Sequence, residues 1–390
     1  MDAKQGEAMK RVSILGATGS VGLQALDVCA RCGYAPFALT ANQNARALAD
    51  AVRRYGAEYA AIADESSAKE LRLLVSDLPV KVLSGPQGVC EAAGLAGADI
   101  VLNAIVGIAG LRPTLAAIAA GKDVALANKE TLVAAGEIVM RAAAEKGVHI
   151  LPVDSEHSAV WQCVQGGEAF VRQILLTASG GPFFGYDRQE LRAVELREAL
   201  CHPNWNMGPK ITVDSATMMN KGLELIEAVH LFHVPPESVS ILVHRQSIVH
   251  SLVEFTDVSV LAQLGVPDMR MPIQYALTWP QRVPAPVERL DLAKVATLTF
   301  DAPDESVFTT IPLCRRAIAS GGNLPAMLNG ANEQAVRAML AGEIRFVELF
   351  TLLERVYAQF RFIESPSLDS ILESDRAARD LVIEQIHRRD

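Results

Sequence analysis

The chain has 390 residues, half of them hydrophobic, with 36 Lys and Arg against 45 Asp and Glu, a formal net charge of −9 and a pI near 5.5. That length supports two or three cores, and the acidic balance argues against a nucleic-acid partner, which needs a basic footprint. No apolar run reaches membrane-spanning length, the polar start Met1–Lys10 reads as neither a signal nor a transit peptide, and six scattered cysteines fit a reducing cytoplasm.

Arg11–Leu15 is a short β-rich run. Gly16-Ala-Thr-Gly-Ser-Val-Gly22 follows it and opens a helical pattern with Leu23, Leu26 and Ala30. Strand, glycine-rich turn and helix predict a dinucleotide-binding unit. Glycines let main-chain N–H groups approach a pyrophosphate, and a helix N-terminus favours negative charge. The spacing is G-x-x-G-x-x-G rather than the commoner G-x-G-x-x-G, and a plain tight βα turn is the alternative. Cys29 and Cys32 have C-x-x-C spacing but close the first helix instead of opening it. They therefore read as structural rather than redox-active. The next strand, Phe37–Thr40, runs into Ala41-Asn-Gln-Asn-Ala-Arg46. The acid that would bind the ribose hydroxyls of NAD is missing there and Arg46 is near, which favours NADP.

Strand-like runs at Ala60–Ile62, Val80–Leu83, Asp99–Asn103 and Asp123–Ala127 alternate with helical patterns. The alternation predicts a parallel sheet covered by helices on both faces. In such sheets ligands bind beyond the carboxyl ends of the strands. Asn128-Lys129-Glu130 and Asp154-Ser155-Glu156 each end a strand, so both are candidate site residues. In an extended chain Asp154 and Glu156 share a face. They would offer two hard oxygen ligands to Mg2+ or Mn2+; a solvated turn or a helix N-cap is the alternative.

From Ile174 the pattern changes. Ser179-Gly-Gly-Pro182 reads as an anion-binding nest or an ordinary turn. Cys201–Lys210, with two prolines and Gly208 around Trp205 and Met207, reads as a loop that closes over a ligand; a Trp packed into the core is the alternative. Asp214–Ala228 reads as one helix, with Asn220 and Glu224 at i, i+4 and Lys221 alongside. Glu224 could complete a three-carboxylate metal site, and Ser215, Asn220 and Lys221 could hold a phosphate; a charged helix surface is the alternative. Val239–Val243, Ile248–Phe255 and Ser259–Leu264 read as strands of an antiparallel or mixed sheet with a candidate dimer surface. His244 and His250 alternate with apolar residues there and read as structural. Pro280–Pro286 reads as a linker, and from Ser306 the chain reads as a helical bundle.

Taken together, Gly16–Gly22, Ala127–Glu130, Pro152–Ser158, Ser179–Phe183, His202–Trp205 with Met207 and Gly208, Asp214–Glu224 and Gly265–Arg270 resemble the 1-deoxy-D-xylulose 5-phosphate reductoisomerase family, in that family's order. The resemblance implies an α/β protein in four parts. These are an N-terminal Rossmann-like NADPH-binding domain (1–154), a central α+β catalytic and dimerisation domain (155–279), a linker (280–305) and a C-terminal helical bundle (306–390). It implies a cytoplasmic homodimer acting on a sugar phosphate, with no nucleic acid or membrane partner. Asp154, Glu156 and Glu224 correspond to the ligands of Mg2+ or Mn2+. Lys129, Ser155, Glu156, Ser179, His202, Ser215, Asn220, Lys221 and Glu224 correspond to substrate contacts, with Lys129, Glu156, Glu224 and His202 in catalytic roles. Thr18, Gly19, Ser20, Val21, Asn44, Asn128, Glu130 and Gly208 correspond to NADPH contacts, and Trp205 and Met207 to a mobile flap. Asn42 and Gln43 depart from the small residue and base that often precede Asn44 in the family, which leaves the hold on the 2′-phosphate open.

The implied reaction is the metal-dependent rearrangement of 1-deoxy-D-xylulose 5-phosphate and its reduction by NADPH to 2-C-methyl-D-erythritol 4-phosphate. Three rivals make different demands. A semialdehyde dehydrogenase needs an activated cysteine, and neither Cys163 nor Cys201 has a motif for it. A homoserine dehydrogenase leaves the phosphate-type residues unexplained. A non-catalytic NADP-binding sensor has no need of three carboxylates.

Overall fold

Residues 9–205 and 207–388 are described by the computed structural model. Residues 1–8, most of the polar start read above, lie outside them. The chain divides into two compact units, each built from three segments. The first comprises Met1–Asn128, Val139–Asp154 and Asp268–Val287; the second comprises Lys129–Ile138, Ser155–Pro267 and Glu288–Asp390.

The first unit is organised by a seven-stranded sheet: β1 (Arg11–Leu15), β2 (Ala35–Ala41), β3 (Tyr59–Ile62), β4 (Lys81–Ser84), β5 (Ile100–Asn103), β6 (Asp123–Leu126) and β7 (Ile150–Pro152). The order is β4-β3-β2-β1-β5-β6-β7 and every pairing is parallel. The central strands are buried, as in β1 with Val12, Ser13, Ile14 and Leu15 all fully buried, the pattern of a parallel sheet covered on both faces. The winding runs outward from β1 through β4, then restarts on the other side of β1 with β5. The end of β1 is thus the topological switch point, where this fold binds ligands.

The chain leaves β1 through the glycine-rich turn into the helix Ser20–Cys32. Two glycines there are demanded by close approach. Gly16 has φ +81° and a Cβ on it would lie 2.7 Å from the Ala104 carbonyl oxygen. A Cβ on Gly22 would lie 2.2 Å from the Gly16 oxygen. The helix Arg270–Thr278 also belongs to this unit. It buries Ile273, Ala276 and Leu277, accepts a 2.6 Å bond from Lys10 Nζ at the Leu277 carbonyl, and pairs Arg270 with Asp27 at 3.5 Å. The segment 268–287 therefore folds with the N-terminal strands, whereas the sequence reading placed it in the catalytic part and the linker.

The second unit holds a mixed four-stranded sheet of β8 (Val171–Ala178), β9 (Val239–Val243), β10 (Val249–Phe255) and β11 (Val260–Leu264), in the order β11-β10-β8-β9. Only β8 and β9 are parallel; the other pairs are antiparallel. The helix Ser155–Val164 packs on β10 and β11, and the helix Met219–Phe232 on β8 and β9. The C-terminal helices Thr310–Ser320, Leu324–Leu340, Phe346–Gln359 and Leu368–His387 share one hydrophobic core with that sheet. Ile174, Ile241 and Val253 belong to the same cluster as Ile311, Leu328, Leu349, Leu353 and Val382. Phe346–Gln359 contributes a stripe of Leu349, Leu352, Leu353 and Val356, the spacing of one helix face.

Candidate active site

The expectation of an extended Asp154–Glu156 stretch is corrected by the structure. β7 ends at Pro152 and a helix begins at Ser155. Three paired residues are too few to carry strand geometry further, and the helix takes over. Glu156 therefore sits in a first helical turn, where the helix dipole favours a carboxylate, and it accepts a hydrogen bond from Ser155 Oγ. Asp154 is the residue on which the chain passes between units, two peptide links from Glu156.

The expected single helix over 214–228 is likewise two. Pro209–Ala216 ends in a turn at Thr217 and Met218, and Met219–Phe232 follows. Met218 adopts φ +59°. The second helix still puts Asn220 and Glu224 on one face, with Asn220 Nδ2 donating to Glu224 Oε1 at 2.5 Å. Lys129 Nζ reaches Asn220 Oδ1 at 2.7 Å and Glu224 Oε1 at 3.1 Å. Lys221 Nζ donates to Glu156 Oε1 at 2.8 Å and also pairs with Glu224 Oε2. Burial pulls the Lys221 pKa down, but the charges of Glu156 and Glu224 outweigh it, so the ammonium is held above its ordinary value. Carboxylate oxygens of Asp154, Glu156 and Glu224 lie within 4.8 Å of one another. Three hard anionic donors converging at that distance could hold a small divalent cation.

Elsewhere in the second unit, His202 Nε2 lies 3.0 Å from Ser179 Oγ. His202 Nδ1 accepts from the backbone N–H groups of Asn204 at 3.1 Å and Trp205 at 2.9 Å. An Nδ1 that accepts leaves the proton on Nε2, so the imidazole donates to Ser179. Burial lowers the His202 pKa to about 4 and keeps the ring neutral. The Ser179-Gly-Gly turn lies against the helix Pro209–Ala216: a Cβ on Gly181 would sit 2.8 Å from the Ser215 carbonyl oxygen. Ser179, His202 and Ser215 are thus brought together. Trp205 is half-buried, with its ring centroid 6.4 Å from that of His250. Met207 is half-buried and Gly208 exposed, just before the helix.

Of the remaining site candidates, Glu130 is buried and its carboxylate accepts from Lys210 Nζ at 2.9 Å. In the first unit, Thr18 belongs to the glycine turn, Gly19 is the N-cap, and Ser20 and Val21 begin the helix. No side chain caps that N-terminus, so its N–H groups suit an anion. Asn44 caps the helix Ala45–Tyr55, its Oδ1 accepting from Ala47 N at 3.1 Å. Arg46 is exposed and pairs with Glu70 at 3.1 Å. Asn128 Nδ2 donates to the carbonyls of Ile105 at 2.6 Å and Gly107 at 2.9 Å, tying down the loop after β5.

Sequence reasoning gave no role to His157, Glu227 or Lys210. His157 is fully buried, with Nε2 2.9 Å from the Glu224 carbonyl and Nδ1 3.5 Å from Glu227 Oε2. The signals were a histidine one residue after Glu156 and a second glutamate three residues after Glu224, both inside segments already singled out.

A parallel sheet with a glycine turn at its switch point, in a chain that also gathers carboxylates, lysines and small hydroxyls, defines an oxidoreductase built on a dinucleotide-binding fold. The comparisons narrow the class. Residues 12–136 match the 1-deoxy-D-xylulose 5-phosphate reductoisomerase profile, 150–232 the C-terminal domain profile of that enzyme, and 264–381 the DXP reductoisomerase C-terminal domain. The chain is 48% identical over 378 residues to a 1-deoxy-D-xylulose 5-phosphate reductoisomerase of Lachnospira eligens, covering 96% of this chain and 99% of that one. It is 50% identical over 376 residues to one from a Synechococcus species, covering 95% and 96%. The solved reductoisomerase of Zymomonas mobilis in complex with NADPH superposes with a TM-score of 0.91 at 45% identity, over 97% of this chain and 99% of that chain. A DOX-P reductoisomerase solved with NADPH, fosmidomycin and magnesium gives 0.91 at 39% identity, over 97% and 98%. The chain belongs to the 1-deoxy-D-xylulose 5-phosphate reductoisomerase family.

Proposed function

We infer that this chain converts 1-deoxy-D-xylulose 5-phosphate to 2-C-methyl-D-erythritol 4-phosphate with NADPH and a divalent metal ion. The observation that carries the reading is the convergence of Asp154, Glu156 and Glu224 beside two lysines, in a family whose solved members include complexes with NADPH and with magnesium. The donor chemistry fits Mg2+ or Mn2+: all oxygen, all anionic, and partly or fully shielded from water. When bound, the ion supplies Lewis-acid polarisation of the sugar ketone, and the nicotinamide supplies hydride.

The chain's own residues do the rest. Asp154, Glu156 and Glu224 would hold the metal. Lys221 donates to Glu156 and Glu224, and Lys129 to Glu224, so both ammonium groups would stand beside the metal ligands and could serve substrate oxygens. Lys129 is placed to stabilise developing oxyanion charge. Ser179, Ser215, Asn220 and Lys221 offer donors to the phosphate, whose binding energy orients the reacting carbons. Neutral His202 donates through Nε2 and fixes the Ser179 hydroxyl. Trp205 and Met207 cover the substrate and exclude water. In the first unit, the helix N-terminus at Gly19–Val21 would receive the pyrophosphate of NADPH, with Thr18, Asn44 and Asn128 in its cradle; Glu130 and Gly208 are further proposed contacts.

The test is NADPH oxidation by chelator-treated protein with 1-deoxy-D-xylulose 5-phosphate, with and without added Mg2+ or Mn2+. Metal-dependent oxidation yielding the branched methylerythritol phosphate is expected. NADPH binding without metal-dependent oxidation would overturn the assignment.

The working form we propose is a homodimer. β11 is a sheet edge whose Val260 and Leu261 are 48% and 50% exposed, next to Val258 at 67%. An exposed apolar edge strand is a template for pairing, and a second copy covers it symmetrically. Light scattering should give twice the chain mass, and Leu261→Glu should shift it toward the monomer. We place the protein in the cytoplasm, where its six free cysteines stay reduced. Among the described residues no helix is long and apolar enough to cross a membrane.

A further inference from the structure

Lys210 has no role in the reading above, yet its surroundings are unlike those of a surface lysine. It is the second residue of the helix Pro209–Ala216, directly after the loop of His202, Trp205 and Met207. Its Nζ lies 2.9 Å from Glu130 Oε1 and 2.9 Å from Asp214 Oδ2, and both carboxylates are almost wholly buried. Asp214 Oδ1 in turn accepts from Asn332 Nδ2 at 2.8 Å, and Asn332 is fully buried on the C-terminal helix Leu324–Leu340. Glu130 neighbours Lys129, whose ammonium reaches Asn220 and Glu224. One ammonium therefore joins three things: the foot of the loop, the residue next to Lys129, and the helical C-terminal region.

We propose that Lys210 is a positioning residue, which through Glu130 and Asp214 fixes the foot of the His202–Gly208 loop against the turn carrying Lys129. A loop tethered only by its backbone samples many placements. A buried ion pair breaks at high cost, because each freed partner is left charged in a poor solvent. The pairing thus restricts where the loop can start, and the loop covers the substrate only from the right start. Burial opposes the charge on Lys210, but Asp214, Glu130 and Glu333 more than offset it and hold the ammonium above its ordinary range. Asn332 gives the C-terminal helices a part in this, since it fills the Asp214 lone pairs that Lys210 leaves open.

This inference rests on the reductoisomerase reading for its kinetic arm. The experiment compares wild type, Lys210→Met, Lys210→Arg and Asn332→Leu. We expect Lys210→Met to raise KM for the sugar phosphate at least about tenfold with a smaller change in kcat, because loop placement governs capture. Lys210→Arg, which keeps the charge, should recover most of that loss. Amide hydrogen exchange over residues 201–209 should quicken in Lys210→Met and, more weakly, in Asn332→Leu, while exchange in the strands of both sheets stays as in wild type. If Lys210→Met does not fold, Asn332→Leu carries the same exchange and KM tests at reduced amplitude. Unchanged exchange at 201–209, or a KM equal to wild type, would overturn the proposal, as would a uniform loss of protection across the second unit. Should the wild type not turn over the sugar phosphate, the functional reading fails, and the exchange data alone still decide the role of Lys210.

Discussion

Glu224 is the acceptor for three donors: Lys129, Asn220 and Lys221 all donate to its carboxylate, and its side chain is 1% exposed. Glu224→Gln keeps the shape and removes the charge that a metal needs. Turnover should fall at least about 100-fold, equivalent to about 2.7 kcal/mol of barrier, with NADPH affinity unchanged by fluorescence titration. An equal loss of NADPH affinity would remove Glu224 from the metal set. At this scale the sequence was informative where chemistry follows from spacing. The strand-end rule singled out Asp154, Glu156 and Lys129, and the i, i+4 rule Asn220 and Glu224, side chains that lie close in the structure. It said nothing of Lys210, because what distinguishes that lysine is two buried carboxylates, one 80 residues away in the chain, and no local pattern encodes such a partner.

Among the elements, the glycine turn makes a sharp claim. Gly22→Ala should destabilise the first unit by about 1–3 kcal/mol, the cost of forcing a methyl into a filled space, because its Cβ would overlap the Gly16 carbonyl. Gly33→Ala is the control: its φ is +70° but a Cβ there meets nothing within 4 Å. It should cost only the left-handed strain of about 1–2 kcal/mol. It should leave NADPH binding intact, whereas Gly22→Ala should weaken binding as well. Thermal melts with and without NADPH separate the two. Strands were legible here because buried parallel strands are plain apolar runs. The break at Thr217 and Met218 was not, since no glycine or proline marks it. It is made by tertiary structure: Thr310 Oγ1 donates to the Thr217 carbonyl at 2.6 Å, taking an acceptor that a continuing helix would use.

For the whole molecule, buried histidines weaken the fold toward acid. His202, His230 and His250 are each lowered to about 4, in every case first by burial. Each is neutral in the folded chain and, with an ordinary value near 6.5, takes up a proton on unfolding below that pH. The unfolded state then binds more protons, so stability is fully present above about pH 6.5 and is lost as pH falls toward 4. Denaturant midpoints should be flat from pH 7 to 8 and decline through that window. His230→Asn should flatten the decline, and a slope identical to wild type would remove His230 from the set.

The interleaving of the two units has a consequence for how such a chain can be altered. It passes from one unit to the other five times, after Asn128, Ile138, Asp154, Pro267 and Val287. No single cut separates them. A fragment ending at Asp154 lacks the Arg270–Thr278 helix, and with it the Arg270 partner of Asp27 and the Leu277 carbonyl that accepts from Lys10. Recombination with a relative at one point would give at least one unit with mixed ancestry, its core assembled from two sources. One crossover therefore cannot exchange the first unit as a whole, and an exchange that keeps both cores of single origin must move all three of its segments together.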